Sequence, residues 1–147
     1  RRTANHNTLW IKDVEQNDFV NSFSIQGKSF PEIHNLDENS IDVSHQGFSN
    51  EHRRNFTFKR NSIEIFDTFG DESFISLNIA PNIEIMIKDL KIRLKQQKDI
   101  IHIKLEGIST IEIEEGFYSK QYGQRLKNKR IILRRQAEMS KLNLTIG

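Results

Sequence analysis

Apolar side chains recur at every second position through much of residues 41–69, IDVSHQGFSNEHRRNFTFKRNSIEIFDTF. A strand turns successive side chains to opposite faces, so a period of two fits a half-buried strand rather than a helix. Ile41, Val43 and His45 make one such run, Phe56 and Phe58 a second, and Ile63, Ile65 and Asp67 a third. Gln46-Gly47-Phe48-Ser49-Asn50-Glu51 and Asn61-Ser62 separate them, and Gly, Asn and Ser are residues that turns favour. The stretch predicts three antiparallel strands with one buried face. His45, His52 and the Arg53-Arg54 pair fall where these strands meet, which makes that corner the first place to look for chemistry.

The same pattern extends along the chain. Residues 8–12 read as a short strand with Leu9 and Ile11 on one face and Trp10 on the other. Residues 13–29 read as loop with room for one short strand, anchored by Phe19, Phe23 and Ile25, and residues 34–40 as a turn-rich connection. Alternation returns at Ile75, Leu77 and Ile79, then at Ile83, Ile85 and Ile87, with Pro81-Asn82 between them. A short strand at residues 89–94 is followed by a turn at 96–99. Ile101, Ile103 and Leu105 precede Gly107, and Ile111 and Ile113 precede Gly116. Residues 117–123 read as an aromatic-bearing loop, and residues 130–136 and 141–146 close the chain as strands. About ten to twelve strands at roughly ten-residue spacing predict an all-β fold, an antiparallel β-sandwich in one domain. Residues 85–98 also fit a basic amphipathic helix, but their β-branched isoleucines suit a pleated surface better.

The 147 residues are enough for one sizeable core, and 35% hydrophobic with 29% charged residues is a globular composition. A net charge of +2 is too small to argue for nucleic acid, while a pI near 8.9 leaves an anionic ligand open. The absence of cysteine removes disulfides and thiolate metal sites. No apolar run approaches the ~20 residues a membrane span needs. The chain opens on Arg1-Arg2-Thr3 without Met, which fits a fragment or a processed product.

His6, flanked by Asn5 and Asn7 just ahead of a strand, can present an imidazole at a sheet end, where it can serve as base, acid or metal ligand. The plainer alternative is a solvated histidine in a frayed terminus. His45 and His52 lie on consecutive strands that a hairpin can bring together. With His6 and an acid such as Asp13 or Asp18 they could supply the three converging ligands a metal requires, although no HxH or HExxH spacing is present. Arg53, Arg54 and Arg60 carry guanidinium forks that suit carboxylate or sulfate, or else they are charges that keep an edge strand from aggregating. Tyr118 and Tyr122 are read as loop aromatics that pack and hydrogen-bond locally. Residues 125–135, RLKNKRIILRR, read as a strand with a solvated basic face.

Several of these motifs together resemble one family. Arg-x-Thr-Ala-x-His-Asn-Thr at residues 1–8 resembles the segment that opens the C-terminal β domain of heparinase II/III-like polysaccharide lyases. Ser44-His45-Gln46-Gly47-Phe48 followed by His52-Arg53-Arg54 resembles that domain's Ser-His-Asp-Gly-Tyr and His-Arg-Arg pattern, and Ile63-Glu64-Ile65-Phe66-Asp67 its next strand. Tyr118-Ser119 with Tyr122-Gly123 resembles a late Tyr-Ser and Phe-Gly motif. The resemblance implies a β-sandwich that follows an N-terminal α/α toroid, absent here, in an enzyme that cleaves an acidic, uronate-containing polysaccharide by β-elimination in the periplasm or outside the cell. It implies His6 as a catalytic residue, Arg2, Asn7, Arg53 and Arg54 as substrate-binding residues, and zinc held by His6, His52 and an aspartate, with Asp18 the choice over Asp13. Phe48 stands where the family often has Tyr, and Ala80 precedes Pro81 where a His is common. This chain alone is expected to be inactive as a lyase. The alternative is a non-catalytic carbohydrate-binding or domain-docking module, which usually displays aromatic rings on a sheet face.

Overall fold

A computed structural model describes residues 2–21, 24–27, 29–121 and 123–147, with the backbone alone for Phe19. Arg1, Phe23 and Tyr122, named above, lie outside the described residues, as does the Phe19 side chain. A 3-10 turn at Thr3–Asn5 leads into β1 (Leu9–Trp10), β2 (Asp18–Phe19) and β3 (Ile25–Gln26). A meander follows: β4 (Glu32–Leu36), β5 (Ser40–His45), β6 (His52–Lys59) and β7 (Ser62–Thr68). After β8 (Phe74–Ile79) comes a second meander of β9 (Glu84–Lys88), β10 (Lys91–Gln96) and β11 (Asp99–Glu106). A long hairpin of β12 (Ile108–Tyr118) and β13 (Leu126–Arg135) precedes β14 (Met139–Ile146).

These strands form an eight-stranded sheet in the order β4-β5-β6-β7-β14-β11-β10-β9 and a four-stranded sheet in the order β1-β8-β13-β12. β2 and β3 pair apart. Every pairing is antiparallel. The core lies between the two larger sheets. Leu9, Ile75, Ile108, Ile131 and Leu133 come from the smaller sheet, and Ile92, Ile103, Leu105 and Leu142 from the larger. The chain therefore crosses between sheets several times, most abruptly at Gly107, which alone separates β11 from β12. Its φ of +70° suits glycine, and a Cβ there would run into the Met139 carbonyl oxygen.

The β-sandwich expected from the alternation is present, and β5, β6 and β7 fall within one residue of the strands read from residues 41–69. Residues 85–98 form the β9–β10 hairpin, not a helix. The turn places Asp89 at φ 52°, a conformation that short polar side chains tolerate. Residues 34–40 hold most of an edge strand, β4, whose five residues are all exposed and therefore carry no alternation to detect. β12 reaches into the stretch read as the aromatic loop, as far as Tyr118, and β13 begins beyond it at Leu126. Among the described residues the two larger sheets hold twelve strands, in keeping with the ten to twelve expected, and the short β2–β3 pair adds two more.

Candidate functional site

Register decides which way the basic residues of β6 face. His45 stands opposite His52, Ser44 opposite Arg53, and Val43 opposite Arg54 and then Asp67. Adjacent residues point to opposite faces of a sheet. Arg53 therefore turns outward and forms a two-point ion pair with Asp42, Nε–Oδ1 2.9 Å and Nη2–Oδ2 2.6 Å. Arg54 turns inward and does the same with Asp67, Nε–Oδ1 2.7 Å and Nη2–Oδ2 2.9 Å. Asp67 is 0% exposed, and it also accepts a 2.7 Å bond from His52 Nε2. Burial pushes the Asp67 carboxyl up, but the His52 hydrogen bond and the Arg54 guanidinium outweigh it and hold the carboxyl below its ordinary value.

The hydrogen bonds link both imidazoles and Asp67 into one chain. Gly47 N–H donates to His45 Nδ1 at 3.1 Å, so that nitrogen carries no proton. His45 Nε2 lies 3.1 Å from both His52 Nδ1 and the Gln16 side-chain amide nitrogen, and His52 Nε2–H donates to Asp67. Burial, followed by the charges of His52 and Arg54, lowers the His45 pKa to about 4. The Cβ of any other residue at position 47 would meet Ser29 Cβ, the Gln16 carbonyl oxygen and His45 Nδ1 at 2.8–3.1 Å, so Gly47 is required by close approach. The rings close round a cavity of about 190 Å³ shared with Thr8, Gln16 and Pro31. Phe48, where the family often has Tyr, is buried against Phe69 and His45. The corner is thus saturated: every ring nitrogen and both Asp67 oxygens have partners.

Arg54 also reaches the N-terminal segment, donating from Nη1 to the Asn7 carbonyl at 3.1 Å. The other sheet holds the same segment. Asn78 donates from its backbone N–H to Asn7 Oδ1 at 2.7 Å and from its side chain to the Asn5 carbonyl at 3.1 Å. Arg130 donates to the Ala4 carbonyl at 2.8 Å and to Asn5 Oδ1 at 3.1 Å. Buried Thr3 is clasped by Glu15, which accepts from its N–H and hydroxyl at 2.7 Å. His6 sits among these anchors with its N–H bonded to the Thr3 carbonyl. Its side chain is exposed and makes no hydrogen bond among the described residues. Beside it, Arg2, Asn5, Trp10, Lys12 and Arg130 line a cavity of about 520 Å³ together with Asp13 and Glu15.

The predicted residues therefore separate into three places. His6 and Arg2 are exposed at the N-terminal segment, with Arg2 on the cavity wall. Asn7 and Arg54 hold that segment, and Arg53 is engaged on the outer face. Asp18 is exposed on β2. Among the described residues no group of three His, Asp or Glu is arranged to hold a metal ion, so the structure does not assemble His6, His52 and Asp18 into one site. His52 has both ring nitrogens committed to His45 and Asp67, which leaves no lone pair for zinc. Sequence reading missed Asn78 and Arg130, whose partners lie 71 and 126 residues away and carry no local signal. Asp67 was detectable from its inward parity opposite Arg54.

The family model described as "Heparinase II/III-like, C-terminal" matches residues 1–145, and the chain belongs to that family. The heparinase III BT4657 gene product superposes with a TM-score of 0.74 at 17% identity, covering 100% of this chain and 24% of that one. The heparan sulfate lyase HepC from Pedobacter heparinus superposes with a TM-score of 0.72 at 12% identity, covering 100% of this chain and 25% of that one. This chain thus spans about a quarter of the solved structures it matches. Comparison with the curated proteins found no match. Among the described residues no helix is long and apolar enough to cross a membrane.

Proposed function

We propose that this domain forms one wall of the cleft of a polysaccharide lyase that cleaves an acidic, uronate-containing polysaccharide by β-elimination. An α/α toroid supplies the other wall, in a periplasmic or secreted enzyme. Family membership supports the reaction class. The observation that carries the site is the His6 ring, exposed and unbonded on a backbone segment held by Arg54 from one sheet and by Asn78 and Arg130 from the other. Elimination removes the proton on the carbon beside the uronate carboxylate. That electron pair forms the new double bond as the glycosidic C–O bond breaks, and the departing oxygen takes a proton. A neutral imidazole can accept the first proton and an imidazolium can deliver the second. His6 performs one of these transfers, and groups of the toroid perform the other. The cations on the adjoining cavity wall, Arg2, Lys12 and Arg130, attract the carboxylate and stabilise the charge that builds on it. Arg54 and Asn7 are positioning residues. Arg53, paired with Asp42, meets substrate only by exchanging that carboxylate for another. No step runs through zinc, because His52 and Asp67 are already satisfied.

The carbohydrate-binding alternative cannot use Trp10 as its platform, because that ring is stacked on Phe74 with ring centroids 4.7 Å apart. The test is release of unsaturated uronate from an acidic polysaccharide by a protein that joins this domain to its toroid. His6→Ala is expected to lower turnover by about 10²–10⁴ with thermal stability unchanged, and this chain alone is expected to release no product. Undiminished turnover in His6→Ala would remove His6 from the mechanism.

A further inference from the structure

The far edge of the large sheet carries a charge pattern that the cleft does not use. Ile92 and Ile103 face the core, at 1% and 2% exposure, so their strand neighbours face outward. Lys91 stands opposite Lys88 on β9 and opposite Lys104 on β11, a row of three lysines across three strands. In the next row Arg93 stands between Met86 and His102. Lys95 follows on β10, opposite Glu84. Neighbouring strands are ~4.8 Å apart and rows on one face about 6.6–6.8 Å apart, so these cations form a compact grid. Among the described residues none of Lys88, Lys91, Arg93, Lys95 and Lys104 has an ion-pair partner. The nearby carboxylates stand at the margins: Asp89 in the turn that joins Lys88 to Lys91, and Glu84, Asp99 and Glu106 at strand ends. Like charges directly opposite one another destabilise a sheet. The fold tolerates three in a row here, although neighbouring Glu64 shows how easily a carboxylate can be placed, being bonded to both Lys59 and Lys141. Between the rows runs a groove of about 280 Å³ that includes the apolar side chain of Met86.

We propose that the outer face of β9, β10 and β11 binds an extended anionic polysaccharide. Sulfate or carboxylate groups would bridge the Lys88–Lys91–Lys104 row and the Arg93 fork, with sugar C–H surface lying on Met86. A ligand of this kind removes the repulsion that the empty face carries. The rows hold no Phe, Tyr or Trp, whereas single-stranded nucleic acid is held on aromatic platforms and interfacial membrane surfaces on aromatic and leucine anchors. The choice of polysaccharide among polyanions rests on the lyase-domain reading; the cationic grid does not.

The probe is heparin, titrated into the 147-residue chain at several salt concentrations, with neutral dextran, a DNA duplex and anionic lipid vesicles in parallel. The variant is Lys88→Gln with Lys91→Gln and Lys104→Gln. Heparin affinity is expected to fall roughly tenfold or more in this variant, with a shallower dependence on salt, while DNA, vesicles and dextran bind the parent more weakly than heparin. Its melting temperature is expected to equal or exceed that of the parent, because repulsion is lost. Three control substitutions at Lys120, Lys127 and Lys129, removing the same charge elsewhere, are expected to change affinity by less than about threefold. An equal loss in that control would mean that net charge alone is responsible and would overturn the proposal. So would parent-like binding in the variant, or tighter binding of DNA or vesicles than of heparin. His6→Ala is expected to keep parent affinity, so failure of the proposed lyase mechanism and failure of this surface give different results.

Discussion

The two ends of the eight-stranded sheet treat positive charge in opposite ways. At the β5–β7 end, Arg54 points inward and is matched to a carboxylate with two hydrogen bonds, with His52 completing the same Asp67. At the β9–β11 end, Lys88, Lys91 and Lys104 face solvent in one row with no carboxylate between them. The difference follows from solvation. A buried ion loses its water and must find protein partners, or the fold loses several kcal/mol. An exposed lysine keeps its water, so pairing is optional and its absence carries information. Within β6 the same contrast separates neighbours. The Arg54–Asp67 pair is a structural bond that shapes the His6 segment, whereas the Arg53–Asp42 pair is a surface contact.

The most damaging way to break the contrast is to remove the inner carboxylate. Asp67→Asn leaves Arg54 without a counter-charge in the interior and is expected to cost about 3–5 kcal/mol in urea unfolding. Asp42→Asn, which removes the outward partner of Arg53, is expected to cost less than about 1 kcal/mol. Equal losses would mean that inward and outward pairs do not differ as their burial says.

Acid should act on the inner end before the outer. The His45 pKa is lowered from 6.5 to about 4. The folded state therefore holds His45 neutral where the unfolded chain binds a proton. The contribution is complete above pH 6.5 and is lost progressively as pH falls toward 4. The lowered Asp67 pKa acts in the same direction at lower pH, because its carboxylate must be ionised to hold Arg54. Melting temperature is expected to drop across this window, and His45→Gln is expected to flatten the upper part of the drop. Protonation would also place an N–H at Nδ1 against the Gly47 N–H, which supplies the local cause.

Which of these features the sequence could disclose depends on how far apart their partners lie. Period-two alternation is a local property, so β5, β6 and β7 and their facing were readable from residues 41–69. Parity alone would have put Arg53 and Arg54 on opposite faces and Asp67 beside Arg54. β4 was not readable, because all five of its residues are exposed and nothing selects one face over the other. The setting of His6 was only half readable. Its neighbours Asn5 and Asn7 are local, but Asn78 and Arg130 reach it only after the smaller sheet has formed. The expected zinc set draws on residues far apart in the chain. His6, His52 and Asp18 have suitable chemistry, but the β5–β6–β7 register gives His52 to His45 and Asp67 first.

The outer end should show the smallest and most diagnostic effect. Each opposed lysine pair of the Lys88–Lys91–Lys104 row opposes folding by an amount on the order of 0.2–1 kcal/mol at low ionic strength. Lys91→Gln removes both pairs at once and is expected to raise stability by roughly twice that amount, against the usual direction for a substitution in a strand. The Debye length shrinks from about 30 Å at 0.01 M salt to about 3 Å at 1 M. Added salt should therefore stabilise the parent more than Lys91→Gln, and the two unfolding curves should converge. If Lys91→Gln is instead less stable at every salt concentration, the row is held by contacts within the sheet, and its lack of partners says nothing about a ligand. If the curves converge as expected, the repulsion is a standing cost that the fold keeps. Of the two ends of this sheet, only the outer one then retains charge with no structural role, and that charge is free to meet a polyanion.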